Sequence, residues 1–565
     1  VVCPAAQERL LGVWDDARRV AMRDAFTAST LPYAVDAWNR TEERLDAHAE
    51  RWSERYDALC QRLGGGEQSR SLDATMACLR QRREELGALV ELLADGDEAT
   101  IAKATEAAAD LTPVDVCEEQ GAEAAQMALP AAADQPEVDE IRLVLARAEA
   151  AYKTGMVGRG MEHARQAHER AQALGYLPLE VEALYFRGKL EVIDGQLAAA
   201  EQDLADAALR AVEARYDRIA VRAATTQAFV VGYQQGRPDE GMKWLRHATA
   251  ALERLGNDRL LDAELRITRA SILTSQGRFE PALVDFRAGL LERQEVLGDG
   301  HPTVAASYNN LGSVLVEVGR LDEALEALEH ARRIWEHAYG PRHPVLGTAL
   351  TGIGAILEQM GRWPEARERL EQALRVREDA FGPDHFNVAI TLDNLGSVLA
   401  RLGETDRARS VIERSLTLRE RTLGPRHPHI GSSLVNLGLV AELEGKLDEA
   451  CDYEERAIEL WEETLGAEHP YLTVPLTILG RAELARGNPE RARQLLERAL
   501  AIGEEVDKPS ERAETRLALA RALWEQDPAQ ARILAERARA DVQGPSAGKV
   551  ALRGQIDRWL ADHPS

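Results

Sequence analysis

Five histidines recur at His301, His343, His385, His427 and His469, each forty-two residues after the last, and all but His385 precede a proline. Such a ladder invites a metal reading. Packed helices, however, lie ~8–10 Å apart, whereas zinc holds imidazole nitrogens at ~2.0–2.1 Å. Histidines from successive helix pairs therefore cannot share an ion. The chemistry that suits a loop histidine just ahead of a helix is a hydrogen bond to that helix's first turn.

Four of the five cysteines, Cys3, Cys60, Cys78 and Cys117, fall in the first 117 residues. They lack CxxC or HxxxH spacing, so zinc is disfavoured. An even set in one small region reads as two disulfides and an oxidising compartment, the other reading being four buried thiols in a reduced protein. Cys451 follows Ala450 inside a repeat and reads as a small buried residue. The run Gly64–Gly66 lacks GxxxxGK[ST] and a preceding strand, so it marks a turn between helices rather than a phosphate loop. Ser, Cys, His and carboxylate residues all sit on the repeat schedule or in solvated charge patterns. No nucleophile–base constellation, cofactor motif or metal set emerges.

The elements that position these groups follow the same schedule. One glycine recurs at Gly312, Gly354, Gly396, Gly438 and Gly480, and a second at Gly277, Gly319, Gly361, Gly403, Gly445 and Gly487. Five residues beyond each of the second set stands an alanine, from Ala282 to Ala492. Periods of this length mean stacked repeats, because one unit cannot bury its apolar face alone. Within one unit, Tyr308, Leu311 and Leu315 form an apolar stripe, Gly319 ends the helix in a left-handed cap, and Ala324, Leu328 and Ala331 form the stripe of the return helix. Gly155, Gly195 and Gly236 continue the turn ladder upstream at slightly shorter spacing.

Residues 1–117 read as four antiparallel helices: one from Pro4, a long second capped by Thr30, a third over about 72–93, and a short fourth ending near Pro113. Residues 118–137, with two prolines and no apolar period, read as a linker. Divergent helix pairs are expected over 138–259, regular forty-two-residue repeats over 260–506, and a degenerate pair with a final capping helix over 507–565. Because alternating helices put all four cysteines near one end of the bundle, and Cys60 and Cys78 flank the "GGGEQS" turn, the expected pairs are Cys60–Cys78 and Cys3–Cys117. The fold class is all-α, a helical bundle followed by a right-handed superhelical solenoid.

Composition agrees. Aromatic residues are 5% of the chain, low for a β-sandwich, and Ala, Leu, Glu and Arg favour helix. Net charge is −26 with basic residues interspersed, so the basic stripe that nucleic-acid binding needs is missing. No apolar run reaches the ~18 residues of a membrane span. The chain opens at Val1 without Met, as expected of a piece cut from a longer protein whose anchor would lie upstream.

Asn-Leu-Gly, then Gly-Arg-Leu-Asp-Glu-Ala, then alanine seven residues on, resembles the tetratricopeptide repeat, and the period with "LGPRHP" linkers resembles its kinesin-light-chain type. The segments "GVWDDARRVAMRDAF", "LDAHAERW" and "LDATMACLRQRREELGAL" resemble the region that follows the kinase domain in myxobacterial serine/threonine kinases. Kinase motifs themselves (GxGxxG with its Lys, HRD, DFG) do not occur. The resemblance implies a non-catalytic sensor or docking region on the outer side of a membrane-anchored kinase; the alternatives are a cytoplasmic scaffold and an enzyme with a site between bundle and solenoid.

In the tetratricopeptide family the residue before the repeat leucine faces a concave groove. Here it is Asn310, Asn394 and Asn436, with Asn309 beside the first, Gly352 and Ile478 breaking the row, and Ser313 and Ser397 nearby. Asparagine is a mediocre helix former, and its amide offers both donor and acceptor to an extended peptide. The candidate site is therefore Asn309, Asn310, Ser313, Asn394, Ser397 and Asn436, with a protein or peptide partner; inter-repeat hydrogen bonding is the other use of such a row.

If the second glycine ladder ends helices in left-handed caps, Gly403→Val should cost on the order of 1 kcal/mol or more. Thermal melting of that variant checks it, and an unchanged profile would refute the cap.

Overall fold

Apolar residues at helical spacing, interrupted by glycine at fixed places, fold this chain into helices joined by tight turns. The computed structural model describes residues 4–65, 69–118, 130–131, 133–256, 258–504, 508–543 and 547–564. They form two compact units, Val1–Arg320 with His330–His343, and Leu321–Glu329 with Pro344–Ser565.

The first unit begins with α1 (Ala6–Leu10), α2 (Asp16–Ala28), α3 (Ala34–Gly64), α4 (Arg70–Ala94) and α5 (Glu98–Ala109). The expected first helix is thus two. Gly12 takes φ +75°, and Asp15 accepts from the amides of Gly12 (2.7 Å) and Arg18 (3.0 Å), closing one helix off and capping the next. Thr30 does not cap α3; its hydroxyl donates instead to Glu98 at the start of α5. Ser69 and Asp97 cap α4 and α5.

The disulfide pairing differs from expectation. Cys78 bonds Cys117, with Cα atoms 5.5 Å apart, and so pairs with neither expected partner; Cys60 is also disulfide-bonded. Cys3 lies outside the described residues, as does Gly66. The reason is axial position. The Trp52 indole donates to the Leu79 carbonyl (2.6 Å), while Arg51 and Arg55 pair with Asp115, so Cys78 and Cys117 both lie level with Trp52. Cys60 lies two turns farther along α3, ~12 Å away at 1.5 Å per residue. Of the expected linker, residues 119–129 and 132 lie outside the described residues.

Helix pairs follow: α6 (Gln135–Lys153) with α7 (Val157–Leu174), α8 (Leu177–Ile193) with α9 (Leu197–Glu213), α10 (Asp217–Phe229) with α11 (Pro238–Leu255), and α12 (Arg259–Ser275) with α13 (Phe279–Leu297). Next come α14 (Pro302–Glu317) and α15 (Leu321–Tyr339). In the second unit α16 (Val345–Gln359) pairs with α17 (Trp363–Phe381), α18 (Phe386–Arg401) with α19 (Thr405–Leu423), and α20 (His429–Leu443) with α21 (Leu447–Leu465). The series continues as α22 (Thr473–Ala485) with α23 (Pro489–Glu504), then the degenerate pair α24 (Pro509–Leu523) with α25 (Pro528–Asp541), and α26 (Ala547–Asp562) last.

The nine turn glycines from Gly155 to Gly487 all take φ between +67° and +83°. At Gly319 the backbone closes as a Schellman turn, Gly319 N to Val316 O and Arg320 N to Leu315 O, both 2.9 Å. The histidines do what loop histidines should: Nδ1 of His301, His385, His427 and His469 accepts from the backbone amide two residues on, at 3.1–3.2 Å.

Inside a pair, a glycine on the first helix lets the second helix approach. A Cβ on Gly354 would lie 2.5 Å from Leu370, and one on Gly480 would lie 2.6 Å from Leu496; Gly396 sits likewise on Ile412. At the same place under Gly438 stands Glu454, fully buried, with neither carboxyl oxygen hydrogen-bonded among the described residues. Burial raises its pKa well above 4.5, assisted by Glu442 and opposed by Arg481. A carboxyl whose pKa is raised by folding holds its proton more tightly when folded. The stability linked to it is whole below the unfolded value near 4.5 and drains as pH climbs through the folded value. Leucine or isoleucine fills this place in the other pairs, so Glu454→Leu should stabilise the protein by ~1–3 kcal/mol. The gain should widen as pH rises above about 4.5. Thermal melts of both proteins from acid to neutral pH test this; a gain that shrinks towards neutrality refutes it.

Candidate peptide-recognition surface

In the second unit, buried polar rungs hold successive first helices side by side. Thr351 of α16 meets Thr391 of α18 (3.3 Å), and Arg377 donates to Thr391 (2.6 Å) and to the Asn387 carbonyl (2.8 Å). Asp393 of α18 is gripped by Arg419 (2.6 Å) and by the Ser433 hydroxyl of α20 (3.0 Å), with both ionic side chains about 5% exposed. Thr477 meets Thr515 (2.8 Å). Burial pulls the Arg377 guanidinium down to about 10 and pushes the Asp393 carboxyl up against the pull of Arg419.

The candidate residues sit on this frame. Asn394 is half-buried on α18, and its amide has no hydrogen-bond partner among the described residues. Asn436 is engaged, its amide donating across to the Asp393 carbonyl at 3.4 Å. Ser397 is engaged too, donating to Glu358 of α16, whose carboxyl burial pushes up. Two of the three candidates in this unit thus staple neighbouring repeats, and Asn394 does not. In the first unit Asn309 and Asn310 are half-buried on α14 without side-chain partners among the described residues, and exposed Ser313 donates back to the Asn309 carbonyl (3.1 Å).

Sequence reading missed the charges on the first helices of the first unit: Glu149 and Lys153 on α6, Glu182 and Lys189 on α8, Arg222 on α10. Their signal was present, as charges within the first helices of the divergent pairs, but the divergent spacing upstream hid the alignment. Among the described residues no His, Cys, Asp and Glu group could hold a metal ion, and no helix is long and apolar enough to cross a membrane.

Removing one partner of the buried Asp393–Arg419 pair strands a charge, so Arg419→Met should cost ~3–5 kcal/mol. Adding Asp393→Asn should recover part of the loss in a thermal melt; a double variant no more stable than Arg419→Met would exclude the pair as the cause.

Comparison with known proteins bears on the repeats. A tetratricopeptide repeat model matches residues 286–337, 303–379, 345–421, 387–458 and 429–505, and a second matches 264–303. No curated protein sequence matches. Solved structures that resemble the chain include BtubC (BKLC) from P. vanneervenii, at 19% identity over 40% of this chain and 91% of that one, TM-score 0.34. The nearly identical kinesin-light-chain TPR-like repeats of Podosopora anserina align at 26% identity over 35% of this chain and 96% of that one, TM-score 0.29. A Rap protein complexed with competence and sporulation factor aligns at 14% identity over 61% and 99%, TM-score 0.42. At these scores the likeness does not extend to function. Residues 264–505 are tetratricopeptide repeats, and they give this all-α chain a tetratricopeptide solenoid.

Proposed function

We propose that this chain is a non-catalytic recognition region whose second unit holds an extended peptide segment along α16, α18 and α20. The observation that carries the reading is Asn394: a half-buried amide with no partner among the described residues, where the neighbouring Asn436 and Ser397 are both engaged. In the first unit Asn309, Asn310 and Ser313 offer a second set of polar groups. The resemblance to the region following myxobacterial kinase domains makes the broader role a sensor or docking segment of a membrane-anchored serine/threonine kinase, outside the cytoplasm. The Cys78–Cys117 disulfide and the disulfide-bonded Cys60 support an oxidising compartment. Four free thiols in the first 117 residues of the purified protein would favour the cytoplasmic scaffold instead.

A neutral hydrogen bond is worth ~0.5–1.5 kcal/mol net, so Asn394→Ala should weaken a peptide recovered by display on the whole chain roughly two- to twelvefold. Its melting temperature should hold, whereas Asn436→Ala, which removes a staple, should lower it. Unchanged affinity in Asn394→Ala, or no peptide recovered, would overturn the reading.

A further inference from the structure

Where the N-terminal helices of the first unit meet its first repeat, α4 packs along α6 and leaves a cavity of about 340 Å³. Its walls are the turn between α1 and α2 at Gly12 and Val13, one side of α4 at Gly87 and Ala88, and the N-terminal half of α6 from Pro136 to Leu143. The α4 wall is set back because it carries glycine inside a helix, where glycine is unfavourable relative to alanine. No close approach demands it: a Cβ on Gly87 would lie 3.5 Å from the Val13 side chain, an ordinary contact. What the glycine does is leave room.

Six charged side chains line the cavity, and three of them are engaged. Arg18 donates to the Gly12 carbonyl (3.2 Å), Glu91 pairs with Arg147 (3.2 Å), and Asp139 accepts from Gln135 (2.8 Å). Arg83, Glu84 and Glu140 have no hydrogen-bond or ion-pair partner among the described residues, and Nε of Arg83 is also shut off from solvent. Arg83 and Glu84 are successive residues of α4, ~100° apart around the helix, so they do not face each other. Burial pushes the Glu84 carboxyl up; Arg83, Arg142 and Arg80 pull it back, and Asp139 adds to the push. Beside these two groups the lining is apolar, with Val13, Ala88 and Leu143.

We propose that this cavity binds a small zwitterion, a free α-amino acid, with its carboxylate on the Arg83 guanidinium, its ammonium on Glu84 and its side chain against Val13, Ala88 and Leu143. The ligand class follows from the groups left over. They have opposite signs, so a ligand with a single charge would leave one of them unsatisfied. A guanidinium takes a carboxylate through two parallel N–H bonds, and an ammonium has three donors, enough for Glu84 and Glu140 together. The volume is at the small end of the ~300–1,000 Å³ range of ligand pockets, which suits a single metabolite rather than a chain segment. The site lies in the first unit and does not depend on the peptide reading of the second.

The test is calorimetric titration of the full chain with each standard L-amino acid in turn, up to millimolar concentration. At least one should bind. Its decarboxylated amine and its deaminated acid, each lacking one charge, should bind roughly tenfold or more weakly. Arg83→Met should weaken the amino acid and the deaminated acid by a similar factor and leave the amine as it was; Glu84→Gln should do the reverse. Gly87→Leu, which puts a side chain into the space, should abolish binding without lowering the melting temperature, since leucine is the better helix former. If that variant melts lower, the Arg83→Met pattern decides. Heat from none of the amino acids overturns the site. An amine or acid that binds as tightly as the amino acid overturns the zwitterion, and unchanged binding in a folded Gly87→Leu protein overturns the location. Asn394→Ala should leave amino-acid binding untouched, so failure here leaves the second-unit reading standing.

Discussion

Everything in this solenoid depends on how closely two helices approach within a pair. Where the first helix carries glycine, as at Gly354, Gly396 and Gly480, the leucine or isoleucine of the second fills the space a methyl group would take. That contact places the left-handed turn glycine at the end of the first helix. Turn and contact together fix where the return helix ends and where the next histidine begins the following pair. A residue of the wrong kind at the contact is therefore costly, as Glu454 under Gly438 is, buried with neither carboxyl oxygen hydrogen-bonded among the described residues.

Stacking one pair on the next needs a second device. Between α16, α18 and α20 it is polar: threonine on threonine, and an aspartate held by arginine and serine. A buried polar rung has one good geometry, so it sets register where an apolar surface would tolerate sliding. The rungs also decide which groups remain without a partner among the described residues. Asn436 and Ser397 are drawn into the inter-repeat network, and Asn394, one residue from the gripped Asp393, is not. The same residue type on the same schedule is thus engaged at one place and left without a partner among the described residues at another.

Much of the site was legible only in part for this reason. Position on the repeat schedule identified the first-helix face and its asparagines, because helical spacing follows from residues within one turn. It could not tell a satisfied amide from an unsatisfied one, since that depends on whether a neighbouring carbonyl comes within hydrogen-bond distance. The four cap histidines were legible because cap and acceptor lie two residues apart. The contacts of His343 with Tyr33 and Glu106 were not, because those residues arrive from the other end of the unit.

The sequence by itself determined the helices, the nine left-handed turns, the pairing of each helix with the next and the degenerate last pair. All of these rest on local energies: a glycine at positive φ, a capping side chain, an apolar stripe that must be covered by the nearest return helix. Only the tertiary structure decided that Cys78 joins Cys117 and that α3 reaches the loop after α15. The disulfide follows from axial offsets between helices, and the reach of α3 from small rotations summed over five repeats. No single residue encodes such a sum, and it becomes visible only when the whole unit is assembled.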